Sequence, residues 1–218
     1  MMDYELVKKL YGIEKLLGAS AEDMNYLKEK YEKLPKQLVE FFEMAGETKE
    51  LDCVQDEWLF PSKYRKYAWM DADEYKDYFI ILNENQGVFQ IVIKKDDMTK
   101  DNPTVYVLDG TEIIGKCADT LTDFLMGMLI YQSVFAMKYS PEDFFWYSDE
   151  EMQSIRKTMS IMPYKLQNWY SDTIEFFSNA EDNMLYVMSD ENQGTYGAMT
   201  NSSYQKIQAV LGEMGEGQ

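Results

Sequence analysis

The 218-residue chain carries 39 Asp and Glu against 21 Lys and Arg, a net charge of −18, and it contains no histidine. Such a field repels phosphate backbones and anionic headgroups, which makes nucleic acid and membrane surfaces poor partners and a basic protein a favoured one, although acidity also serves simply to keep a protein dissolved. The lack of histidine removes Ser-His-Asp and Cys-His nucleophile systems, His-ligated zinc and the commonest general base, leaving only carboxylate or lysine chemistry.

Hydrophobic residues make up 45% and aromatics 15% of the chain, a globular composition at a length that buries a sizeable core without help from an oligomer. A monomer or weak homodimer is therefore expected. Cys53 and Cys117 are the only cysteines and no charged-then-apolar leader opens the sequence, so the expected location is the cytoplasm. The longest apolar stretch, Phe124–Met137, is interrupted by Gly127, Gln132 and Ser133 and falls short of the roughly 20 residues that span a bilayer. It is expected to form a buried helix.

In chain order, Leu6, Leu10, Ile13 and Leu17 repeat at helical spacing up to Gly18, which predicts an opening amphipathic helix. Ser20 caps a second helix with Asp23 in its first turn and Met24, Leu27 and Tyr31 on one side, ending near Lys33. Pro35 starts a third, whose Leu38, Phe41, Phe42 and Ala45 form an apolar stripe and whose Gly46 stands where a left-handed cap belongs. Residues 47–77 are less regular, with Trp58-Leu59-Phe60 as a short strand.

The strongest signal is the run from Tyr78 to Lys95. Two β-branched and aromatic stretches, Phe79–Leu82 and Val88–Ile93, flank the polar ENQG of residues 84–87, predicting a hairpin with a positive φ at Gly87. Both stretches are apolar at consecutive positions, which places them inside a sheet covered on both faces. Pro103 then precedes a strand over Val105–Leu108, Asp109-Gly110 makes a turn, and Thr120 caps a long helix through Leu121, Phe124, Leu125, Met128, Leu129 and Tyr131 that should lie across the sheet. Ser148 and Glu151 form a capping box for a helix bearing Met152, Ile155 and Met159, which ends before Pro163.

The last third returns to strands: Ile174–Phe177, Met184–Met188, a second ENQG turn at 191–194, and Thr195–Met199, before a helix through Tyr204, Ile207, Val210 and Leu211. A duplicated strand–turn–strand unit and one turn chemistry reached twice both account for the repeated tetrapeptide. The tail from Gly212 is expected to be mobile. One α+β domain over 1–218 is expected, with a central, mostly antiparallel sheet wrapped by helices, N-terminal helices over 1–33 and a strand-rich extension over 140–211 whose ENQG hairpin extends or flanks that sheet.

Acids crowd the stretch between the third helix and the hairpin. Asp71, Asp73, Glu74 and Asp77 are interleaved there with Trp58, Tyr64, Tyr67 and Trp69, and Trp and Tyr are common anchors of protein interfaces. This stretch is the candidate partner-binding surface; a merely solvated charged face is the alternative. Asp71 and Asp73, Asp96-Asp97 and Glu181-Asp182 form weak metal-binding pairs, but no Walker loop, G-x-G-x-x-G, G-x-S-x-G or EF-hand spacing occurs. No catalytic residue, metal site or cofactor is expected.

Four motifs, taken together in order and spacing, resemble the SMI1/KNR4 (SUKH) superfamily. Leu34-Pro35 with Leu38, Phe41, Phe42 and Gly46 is similar to its opening LP-helix-Gly element, and Tyr78–Leu82, Gly87 and Val88–Ile93 resemble its central hairpin. Asn102-Pro103 before Val105-Tyr106 resembles its next strand, and Leu121-Thr122-Asp123-Phe124-Leu125 its closing helix. The resemblance covers about residues 24–135, and Lys94-Lys95 stand where the family often has an acid. It implies an α+β fold without catalysis and an immunity protein that binds a cognate toxin domain, often a nuclease or deaminase; a regulatory or scaffold module binding other proteins is the second implied role, and a carboxylate- or metal-dependent hydrolase a distant third.

Overall fold

A computed structural model describes residues 2–52, 54–170 and 172–212. Cys53 and the tail beyond Gly212 lie outside the described residues. The chain is α+β and divides into two compact units, Lys15–Phe124 and Met1–Glu14 with Leu125–Gln218. Each is built on its own five-stranded antiparallel sheet, so the expected single central sheet is corrected to two. No helix among the described residues is long and apolar enough to cross a membrane.

In the unit of residues 15–124, helix α2 (Ala21–Lys30) begins at Ser20, whose hydroxyl accepts from the Asp23 amide at 3.1 Å. Helix α3 (Lys36–Ala45) buries Leu38, Phe41, Phe42 and Ala45, the predicted stripe. Gly46 is right-handed (φ −67°), not the expected left-handed cap; a Cβ there would lie 2.7 Å from the Phe42 carbonyl and 2.9 Å from Ala19, so closeness rather than backbone conformation demands glycine. After β1 (Glu57–Trp58) and the short α4 (Pro61–Tyr64), the hairpin β2 (Tyr78–Asn83) and β3 (Phe89–Lys94) sits inside the order β1-β2-β3-β4-β5, with Gly87 at φ +70° as predicted. Phe79–Leu82 and Phe89–Ile93 are buried without interruption, as a strand pair covered on both faces requires. Strand β4 (Val105–Asp109) turns through Gly110 (φ +56°) into β5 (Glu112–Ala118), an edge strand in addition to those expected from the sequence.

Helix α5 (Leu121–Ala136) opens in this unit and continues into the other. Thr120 Oγ1 accepts from the Asp123 amide at 3.1 Å, as its sequence position implied.

The second unit starts with α1 (Tyr4–Tyr11), which stops at left-handed Gly12 (φ +63°) rather than at Gly18. Its buried stripe is Val7, Leu10 and Tyr11, so Ile13 and Leu17 are not part of it. The Tyr11 hydroxyl donates to the Leu129 carbonyl at 2.9 Å. The sheet runs β6-β10-β9-β8-β7: β6 (Phe145–Trp146), β7 (Ser160–Trp169), β8 (Asp172–Ser178), β9 (Asn183–Met188) and β10 (Gln193–Ala198). Pro163 falls in edge strand β7, where a missing N–H costs no ladder bond. The second ENQG is not wholly a turn, because Gln193 and Gly194 already pair in β10 with Met188 and Val187.

Helices α6 (Asp149–Thr158), with the complete Ser148–Glu151 capping box, and α7 (Asn201–Leu211) contribute Met152, Ile155, Ile207 and Leu211 to a core with Phe177, Leu185 and Val187. Buried Asn183 joins that core to the backbone. Its Oδ1 accepts from the Asn179 and Ala180 amides, each at 3.1 Å, and its Nδ2 donates to the Ser203 carbonyl at 3.0 Å, tying the β8–β9 turn to α7.

Candidate functional site

The region from β1 to β2 separates the predicted partner-binding residues into two groups. Trp58 is fully buried, its ring 5.3 Å from Phe41, 6.3 Å from Phe60 and 6.0 Å from Phe124. Tyr64 is 2% exposed, stacks on Phe79 at 5.1 Å and donates its hydroxyl to the Ile80 carbonyl, so burial drives its pKa well above the ordinary tyrosine value. These two aromatics are core residues, which corrects their expected place on the surface. A Trp or Tyr in an acidic stretch looks the same whether it anchors a partner or a core, and only the tertiary neighbours distinguish the two.

The second group stays at the surface. Two 3₁₀ turns, Ala68–Asp71 and Asp73–Tyr75, hold Trp69 at 37% exposure, with the Tyr67 ring stacked 6.3 Å away and Tyr75 edge-on at 5.8 Å. Met70 points the other way and is buried, which fixes the turn to the unit beneath it. Asp71, Asp73, Glu74 and Asp77 are all exposed in the same stretch of chain. The Tyr67 hydroxyl donates to Glu57 Oε1 at 2.8 Å and orients its ring against Trp69.

No family model, curated protein or solved structure matches this chain. The chemistry of the surface must be read from its own side chains.

Several of the acids already have structural work. Lys63, 12% exposed along its side chain, donates to Asp52 Oδ1 at 2.7 Å and to the Trp58 carbonyl at 2.8 Å, and lies 3.2 Å from Glu57 Oε1. Burial disfavours that ammonium, yet Asp52 and Glu57 more than offset it and hold its pKa above the ordinary lysine value. Asp71 Oδ1 meets Lys30 Nζ at 2.5 Å as an ion pair. Asp73, Glu74 and Asp77 make no ion pair among the described residues and present uncompensated negative charge.

Asp56 and Glu84 lie inside the fold instead. Asp56 Oδ1 accepts from the Asn85 amide at 3.2 Å, and Glu84 Oε2 accepts from the Gln86 and Val88 amides at 3.0 and 3.1 Å, so two buried carboxylates grip the first ENQG turn. Burial pushes the Asp56 carboxyl up to about 7, the Asn85 N–H opposes that rise, and the charge of Glu84 adds to it. Neither residue was singled out for this role by the sequence; an acid directly preceding N-Q-G between two strands was the available signal.

Among the described residues, no group of three or more Cys, Asp or Glu side chains gathers as a metal ion would require. The Asp71-Ala72-Asp73 pair is split by the Lys30 contact on its first member.

Proposed function

We propose that this chain is a non-catalytic binding protein that engages a basic protein partner through the surface of Tyr67, Trp69, Tyr75, Asp73, Glu74 and Asp77. The observation that carries the reading is the part-exposed Trp69, packed against Tyr67 and Tyr75 in a stretch whose Asp73, Glu74 and Asp77 are exposed and make no ion pair among the described residues. An aromatic ring fixed by its neighbours loses little conformational freedom on binding, and the surrounding charge steers a basic partner toward it. The four motifs similar to SMI1/KNR4 proteins support the more specific role of an immunity protein that occludes a toxin domain in the cytoplasm.

The test screens the domains encoded by neighbouring reading frames for binding and follows association and dissociation separately for one that binds. Trp69→Ala is expected to speed dissociation by about 30-fold, the rate equivalent of a ~2 kcal/mol hot spot, without moving the melting temperature. Reversing Asp73, Glu74 and Asp77 together should slow association and flatten its salt dependence, because exposed charges act over roughly 8 Å at physiological ionic strength. Trp58→Ala in the same series should instead lower stability by about 3 to 5 kcal/mol. Binding that is indifferent to both surface variants would place the interface elsewhere.

A further inference from the structure

Beside this surface, within the unit of residues 15–124, a cleft of about 420 Å³ brings together Lys30, Lys33 and Lys95 from two stretches of chain far apart in sequence. Lys30 ends α2, Lys33 lies in the link to α3, and Lys95 follows β3. Three ammonium groups against two carboxylates, Asp71 and Glu32, make this wall locally cationic in a chain of net charge −18. The charges are not equivalent. Lys30 is committed to Asp71 at 2.5 Å and lies 5.6 and 5.7 Å from the centres of the Tyr26 and Tyr31 rings, whereas Lys33 and Lys95 make no ion pair among the described residues.

The rest of the lining suits an organic ligand. Tyr31 and the buried Met98 supply an apolar wall, and Thr99 adds a hydroxyl donor. The volume lies in the range of small-molecule sites, roughly 300 to 1,000 Å³, and polar groups line the cleft as fully as apolar ones, which favours a charged ligand with a small apolar part. Ammonium groups donate only, so the complementary ligand group is an acceptor carrying negative charge.

We propose that this cleft binds a small organic anion, its phosphate or carboxylate held by Lys33, Lys95 and Thr99 and its apolar part resting on Tyr31 and Met98. Asp71 is the internal competitor, since it draws Lys30 away and adds negative charge to the rim.

Calorimetric titration of the full chain tests this with inorganic phosphate, citrate and adenosine monophosphate as probes. Adenosine monophosphate binding more tightly than inorganic phosphate identifies a phosphate ligand with an apolar body, and citrate binding in preference to both identifies a carboxylate ligand. The double variant Lys33→Gln/Lys95→Gln should weaken the bound probe at least tenfold with the melting temperature unchanged, and Asp71→Asn should tighten it several-fold. Lys157→Gln, an exposed lysine of α6, should leave it unchanged. Absence of binding by all three probes, or binding that the double variant does not weaken, overturns the proposal.

Discussion

The tetrapeptide ENQG occurs at 84–87 and again at 191–194, and the two copies do opposite things with the same residues. In the first, all four residues lie between β2 and β3, and Gly87 takes the left-handed conformation at φ +70° with open space where a Cβ would go. In the second, Asn192 takes the left-handed conformation at φ 51°, and Gly194 is a strand residue. A Cβ on Gly194 would lie 2.0 Å from the Tyr186 carbonyl oxygen of the neighbouring strand. Glycine is needed once for its backbone freedom and once for its lack of volume. The glutamates differ as well: Glu84 is buried and accepts two turn amides, while Glu191 is exposed. In the second hairpin the comparable task falls to buried Asp172 of β8, whose carboxylate accepts from the Asp190 amide at 3.0 Å.

The sharpest way to break this contrast is alanine at both glycines. Gly194→Ala should cost about 3 kcal/mol or more, because a strand backbone must move aside, whereas Gly87→Ala should cost only about 1 kcal/mol of left-handed strain. Urea denaturation of the two variants reads the difference, and equal losses would erase the distinction between volume and conformation.

A pH series addresses the carboxylates. Asp56 titrates near 7 in the folded chain and near 3.8 unfolded, so the folded state holds the extra proton between those values and stability falls as pH rises through them. Between pH 5 and 8 this group should remove about 2 to 3 kcal/mol. Asp56→Asn, which retains an acceptor for the Asn85 amide, should flatten that slope; a slope unchanged in the variant would assign it to other groups. Of the remaining effects, Glu84→Ala should cost about 2 kcal/mol by leaving the Gln86 and Val88 amides without their acceptor, and Glu191→Ala should stay within about 0.5 kcal/mol. Chemical denaturation at pH 7 measures both, and a comparable loss at Glu191 would mean that the second turn depends on its glutamate after all.

What could be read from the sequence follows from how local each signal is. Ser20, Thr120 and the Ser148–Glu151 pair identified their helix starts because a cap is made within four residues of chain. The first hairpin was legible because covered strands are apolar at nearly every position, Gln90 being the one polar residue between Phe89 and Ile93. Strand β5 mixes exposed and half-buried residues around Gly115, and β7 carries Pro163 and polar residues along an edge, so neither offers a continuous apolar run. At the candidate surface, composition found the acids and aromatics but could not rank them. Trp58 and Trp69 differ in which distant residues approach them: Phe41 and Phe124 close over the first, while Tyr67 and Tyr75 leave one side of the second open.

The discontinuous unit imposes an order in time. Helix α1 leaves the ribosome well before its partners, because the carbonyl that its Tyr11 hydroxyl meets belongs to Leu129, 118 residues later. At about 5 to 20 residues per second, several seconds pass in which the amphipathic α1 waits without its permanent neighbours. Residues 15–124 meanwhile emerge as one uninterrupted stretch containing every strand of the first sheet. That sheet can be complete while α1 is still unassembled, so a segment synthesised before the sheet finds its place after it.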